Sequence, residues 1–147
     1  MSLEKLSESF KKRELVNIFT KLNELKEIQS TKFAYMIKRN LNLLEPIVRP
    51  LFDERAWSAE FNEYAKQARE IHDRHKIDTE EYKQFMSVLE NKYEQVIAEQ
   101  EEKNRKFHID CEEEVDISLF KVHFESLPPN LNAIQLQLLE PVIFPQA

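Results

Sequence analysis

WSAEFNEYAKQAREIHDRH, residues 57–75, places apolar or aromatic side chains at Trp57, Phe61, Tyr64, Ala68, Ile71 and His75, in steps of 4, 3, 4, 3 and 4. That spacing returns to one side of an α-helix at every turn, in a stripe narrow enough to serve as a helix-on-helix seam. KID at 76–78 interrupts it. A second stripe follows through Met86, Leu89, Tyr93 and Val96, with Phe85 and Ile97 beside it. Asp78 with Glu81 resembles a capping box, and Thr79 is the alternative cap. The economical geometry is a long antiparallel, coiled-coil-like helical hairpin turning near residues 75–78. AEQEEKNRK at 98–106 has almost no apolar stripe, yet all of it except Asn104 favours helix, so it extends the second helix as a solvated arm. Thirty helical residues span roughly 45 Å at 1.5 Å each, which predicts an elongated molecule.

Upstream, Leu6, Phe10, Leu15, Phe19, Leu22, Leu25 and Ile28 form a helix-like stripe. Ser30 or Thr31 then caps a second stripe through Phe33, Ile37, Leu41, Leu44, Val48 and Leu51. Pro46 and Pro50 fall inside it; each removes a backbone donor and crowds the preceding turn, predicting a kink or a break. Downstream the period changes. Val115, Ile117 and Leu119 alternate with polar residues, and then the phase flips to Phe120, Val122 and Phe124. Period two with one slip reads as a bulged strand or two short strands. A lone strand is a weak design, so it needs residues 1–10 or another copy of the chain as its partner. Leu127-Pro128-Pro129 ends it, and Asn130 caps a short helix through Ile134, Leu136, Leu138 and Leu139 that stops near Pro141. Leu43-Leu44-Glu45-Pro46-Ile47-Val48 echoes Leu138-Leu139-Glu140-Pro141-Val142-Ile143 without making a repeat array. Both copies read as a helix end followed by an apolar extension.

The expected fold is mainly α: the hairpin plus a small α/β end formed by the N-terminal helix and a C-terminal strand with its short helix. The 147 residues make one domain, with N-terminal helices over 1–50, a hairpin arm over 51–106, and the strand and last helix over 107–147. Glycine is absent altogether, which excludes a phosphate-cradling P-loop, a G-x-G-x-x-G dinucleotide turn and a G-x-S-x-G nucleophile elbow. Net charge is −6, unevenly spread: residues 1–50 carry 10 basic and 6 acidic side chains, residues 51–114 carry 10 and 18, and the remainder 1 and 3. The basic N-terminal third suits phosphates or an acidic partner. The plainer reading is that Lys11, Lys12, Arg13, Lys21, Lys38 and Arg39 solvate helix faces, and the overall acidity speaks against a nonspecific nucleic-acid binder. No apolar run approaches the ~18 residues that span a bilayer, the N-terminus lacks a signal peptide's apolar core, and the single Cys111 suits a reducing cytoplasm. The sequence predicts a cytoplasmic protein with no membrane contact.

No constellation rises to an active site, and we expect no catalytic residue, cofactor or metal. His72 and His75 supply only two ring nitrogens on one helix edge, without the E-x-x-H or H-E-x-x-H contexts that build metal sites. His108, Asp110 and Cys111 lack a fourth ligand, and Glu112, Glu113 and Glu114 disfavour a reactive thiolate. Glu80–Glu81 and Glu101–Glu102 read as solvated helix faces rather than an acid/base pair. The residues expected to matter are those of the seam: Trp57, Phe61, Tyr64, Ile71, Met86, Leu89 and Tyr93, as a surface for a protein partner or for self-association.

Leu15, Asn17, Leu22, Glu24, Leu25, Lys32, Ala34, Tyr35, Ile37, Arg39, Asn40, Leu41, Leu44 and Glu45 in residues 14–46 form one motif set. Val115, Asp116, Ile117, Phe120, Lys121, Val122, Leu127, Pro128, Gln135, Leu136, Leu139, Pro141 and Ile143 form another near the far end. Together they resemble a family of small proteins of unknown function encoded by tailed phages and prophages. The resemblance covers about half the chain, at apolar and capping positions, and brings no activity or functional residue with it. Where the family often has a Lys-Leu-Pro-type extended element, this chain has EIQSTK at 27–32. The long helical surface and the lack of a site, set in that phage context, predict a non-catalytic phage or prophage protein acting through contacts with a phage structural or host protein in the host cytoplasm. A homo-oligomer is expected, and a nucleic-acid-binding regulator is the alternative.

Overall fold

The computed structural model describes residues 4–25 and 31–144. Among them the chain forms six α-helices and a two-stranded antiparallel sheet, the mainly helical fold expected. In order these are β1 (Glu4–Lys11), α1 (Lys12–Asn23), α2 (Thr31–Glu54), α3 (Ala59–Arg74), α4 (Glu80–Lys92), α5 (Glu94–Asp110), β2 (Glu114–Lys121) and α6 (Ala133–Leu139). Two compact units result: Met1–Leu51 with Asp110–Ala147, and Phe52–Ile109. The second occupies nearly the stretch read as the hairpin arm.

The first unit holds most of the core: Leu15, Leu22, Phe33, Met36, Leu44, Val48, Leu119, Leu139 and Val142 are almost completely buried. β2 finds its partner in β1, from Glu4 opposite Lys121 to Lys11 opposite Glu114, without a bulge. This corrects two expectations. Leu6 and Phe10 belong to a strand rather than to the first helix, because a spacing of four satisfies both the helical and the two-residue period. The apparent slip at Phe120 is no irregularity either. Ile117, Leu119 and Lys121 are buried on one face, and Phe120 is buried on the other, where the Arg39 guanidinium lies 5.2 Å from its ring centroid. Lys121 pairs with Glu8 of β1, the partner that a buried ammonium requires. Beyond β2, Val122 bridges in parallel to Ile143, donating to Val142 O and accepting from Phe144 N–H, each at 2.9 Å.

The first N–H groups of α1, which have no partner within their own helix, are met by the chain entering β2. Lys12 N–H donates to Glu113 O and Arg13 N–H to Cys111 O, both at 2.9 Å. The side chains repeat this link: Lys11 pairs with Glu112 at 2.8 Å, Lys12 with Glu113 at 2.7 Å and Arg13 with Glu112 at 3.1 Å. The hydrogen bond from Lys11, aided by the nearby Arg13 charge, holds the Glu112 carboxyl below the usual carboxylate range. A depressed carboxyl contributes its stabilisation at pH above that usual range and loses it as pH falls through the depressed value. An NMR titration should therefore find Glu112 protonating below the usual carboxylate range, and Lys11→Ala should move it back upward.

Of the kink or break expected at the prolines, the break does not occur: α2 runs through both Pro46 and Pro50. Pro46 and Pro50 are exposed, as is Asn42, and the carbonyls they leave without a helical donor are those of Asn42 and Pro46. That side faces solvent, which can hydrate a freed carbonyl, while buried Leu44, Val48 and Leu51 anchor the opposite one. The echo therefore has two fates. Leu43 to Val48 lie in mid-helix, whereas at Leu139 α6 does end, in a 3-10 turn at Glu140–Val142. The cap of α6 is Asn132, not Asn130: its Oδ1 accepts from Gln135 N–H at 2.8 Å, and Gln135 Oε1 accepts from Asn132 N–H at 3.1 Å. Ile28 and the possible cap Ser30 lie outside the described residues, as does most of 27–32, and α2 begins at Thr31.

α2 also carries a buried polar side chain on its apolar face. Asn40 is 0% exposed. Its Nδ2 donates to Phe120 O at 2.9 Å, and its Oδ1 accepts from Phe120 N–H at 2.8 Å. One amide side chain thereby completes the backbone hydrogen bonding of β2 at Phe120.

In the second unit, Ser58 caps α3 by accepting from Phe61 N–H at 3.1 Å. Thr79, rather than Asp78, caps α4, with Oγ1 accepting from Tyr82 N–H at 3.3 Å and donating to Lys76 O at 2.7 Å. The helical path continues through 98–106 as expected, interrupted at Tyr93, whose ψ of 21° ends α4 before α5 begins. The arm is not wholly solvated, however. Gln100 and Phe107 of α5 are buried, Gln100 Nε2 donates to Arg55 O at 3.0 Å, and the Arg55 guanidinium lies 4.0 Å from the Phe107 centroid. Lys103 Nζ adds a bond to Ala56 O at 3.4 Å, so α5 satisfies carbonyls just past the end of α2. Gln100→Ala should cost about 1 kcal/mol in chemical denaturation, the net contribution of one part-buried hydrogen bond. Among the described residues no helix is long and apolar enough to cross a membrane.

Candidate functional site

α3 and α4 build the hairpin that the seam predicts, and they spend much of the seam on each other. Leu89 is 5% exposed, between the helices. Phe61, Tyr64, Ile71, Met86 and Tyr93 are half-buried. An aromatic ladder links them, with centroids 5.0 Å apart for Trp57–Phe61, 5.5 Å for Phe61–Tyr64 and 5.7 Å for Tyr64–Tyr93. Gln67 Nε2 bridges Tyr93 Oη at 3.1 Å and Glu63 Oε1 at 3.0 Å. Burial, reinforced by the negative charge of Glu90, pushes the Tyr64 phenol above its ordinary value, so it stays neutral within the ladder. Of the seven candidate residues, Trp57 alone is largely exposed, at 52%. The others serve the hairpin before they serve any partner.

The outward-facing apolar groups are different ones. Phe85 is 51% and Val88 70% exposed on α4, one turn apart, with Ile77 at the hairpin turn and Ile109 near the end of α5 also exposed. By spacing alone, Phe85 falls at the margin of the stripe, and Val88 and Ile77 fall outside it. The signal was there: Phe85 and Val88 stand off the Met86–Leu89–Tyr93 line, and an amphipathic helix buried on one side has no use for large apolar groups on its flank. α3 shows the same excess from the other direction. It has sixteen residues and an apolar stripe, yet none of its side chains is fully buried.

Between the two helices runs an open groove of about 470 Å³, bordered by Glu63, Lys66, Glu70 and Arg74 of α3 and by Phe85 of α4. His75 closes one end, its ring stacked 4.9 Å from that of Phe85 and its Nδ1 3.5 Å from Glu81 Oε2. His72 turns to Tyr82, Nδ1 to Oη 3.4 Å. The hairpin-tip histidines are thus taken up by aromatic and polar neighbours on α4. Among the described residues no three His, Cys, Asp or Glu side chains come together as metal ligands would, and Cys111 is buried in the first unit. The basic run Lys11, Lys12 and Arg13 is engaged by Glu112 and Glu113 as described above, rather than solvating a helix face alone.

No family model, curated protein or solved structure matches the chain.

Proposed function

We propose that the chain is a non-catalytic phage- or prophage-encoded protein that acts through protein–protein contacts in the host cytoplasm, in assembly or on a host target. The observation supporting this reading is the second unit. It buries only Leu89, Gln100 and Phe107 among its described side chains, while Trp57, Ile77, Phe85, Val88 and Ile109 remain exposed. A unit with so small a core is marginal alone, and Phe85 with Val88, exposed one turn apart on α4, offers an apolar contact site. The phage context rests on the motif resemblance.

The test is an affinity pull-down from host lysate after prophage induction, comparing the native chain with a Val88→Glu variant. Portal, scaffold or tail proteins enriched by the native chain and lost with the variant would support assembly. A host polymerase, nuclease or protease lost in the same way would support takeover of a host process. Identical capture by both proteins would overturn this surface.

The alternative, a nucleic-acid-binding regulator, draws on the net +4 of the first fifty residues. Three of those cations are committed to Glu112 and Glu113, which leaves less charge for phosphates. Retardation of DNA or RNA at low salt, falling steeply as salt rises, would favour it over the protein-contact reading.

A further inference from the structure

The order of charges along the groove carries a more specific inference, which rests on the protein-contact reading. Glu63 and Lys66 lie in the first half of α3, and Glu70 and Arg74 lie in the second. All four are exposed, and among the described residues none of them forms an ion pair within the chain.

We infer that the occupant of this groove is α3 of a second copy of the chain, running antiparallel about a two-fold axis between residues 68 and 69. That axis brings Glu63 level with Arg74 of the second copy, and Lys66 within one residue, ~1.5 Å of helix rise, of Glu70. Symmetry repeats both pairs, so every charge bordering the groove meets its opposite. A parallel, in-register pairing sets each charge against its own kind. The pattern thus rejects that alternative while favouring the antiparallel one. A two-fold contact between identical patches must be self-complementary, and this face meets that condition along its length. The same register lays the aliphatic stem of Lys66 beside Ile71 of the second copy, and Phe85 with Val88 flanks the seam on α4.

The test is sedimentation equilibrium of the full chain at low salt over the micromolar range. The native chain is expected at twice 17.6 kDa. Arg74→Glu alone, or Glu63→Arg alone, sets like charges together twice per dimer and should weaken association by at least about tenfold. The double variant Glu63→Arg/Arg74→Glu restores opposite charges and should recover affinity to within about threefold of native. These side chains are exposed, so the substitutions leave the fold intact, which circular dichroism checks. A monomer across the whole range overturns the inference and leaves the pull-down to judge the reading beneath it. A dimer indifferent to both single reversals overturns the α3 pairing while self-association stands.

Discussion

Asn40→Ala is expected to lower the unfolding free energy by about 3–5 kcal/mol. The change removes the two buried hydrogen bonds from Asn40 to Phe120 N–H and C=O, at a cost of about 1–3 kcal/mol each, and adds a small cavity under α2. For a chain of this size a loss of that order moves the melting temperature by roughly 10 °C or more, readable by differential scanning calorimetry. Asn40→Asp discriminates between hydrogen bonding and mere packing. Its volume is nearly unchanged, but an ionised carboxylate keeps only the acceptor and turns a negative charge on Phe120 O. Burial raises such a carboxyl in the folded state, so its penalty grows as pH rises above the usual carboxylate range. Acidification should recover part of the loss, because the protonated form regains a donor. Equal destabilisation by Asp at pH 4 and pH 8 would count against the paired-amide account.

The second large effect belongs to Leu89→Ala. Removing a buried leucine side chain costs about 2–4 kcal/mol, and in this unit few other buried side chains share the load. Hydrogen exchange should show amides of α3 and α4 losing protection while those of the β1–β2 ladder keep theirs, since the core of the first unit is untouched. Native-state opening is commonly divided into such cooperative parts. Uniform loss of protection over both units, or none in either, would argue against this division.

The hairpin was legible because residues 57–97 repeat one period long enough to admit only one reading, and the change to period two marked β2 equally well. What escaped was decided by partners. Phe10 fits a helix or a strand by spacing alone, and only pairing with β2 decides it. Phe120 looked out of phase because α2 covers a face that an isolated strand would leave wet. Pro46 and Pro50 are helix breakers by local rules, but they lie on the exposed side of α2, where a freed carbonyl costs little. Asn40 carried a visible signal, a lone amide on an apolar face between Ile37 and Leu44. The partner that makes it necessary lies eighty residues away. For the candidate surface, a stripe that builds a hairpin is largely consumed by it, so the residues left for a second contact are those just off the line.

The sheet has a consequence for synthesis. Paired positions in β1 and β2 are separated by between 103 residues, Lys11 to Glu114, and 117 residues, Glu4 to Lys121. At a translation rate of about 5–20 residues per second, β1 waits roughly 5–20 s for its partner, while α3, α4 and α5 are made in between. During that interval the hairpin can close on its local contacts, but the first unit lacks the strand that completes its core. Until β2 emerges, the nascent chain therefore presents an unpaired strand, the kind of exposed edge that chaperones shield. Even with synthesis complete, closing so long a loop places the sheet among the late events of folding.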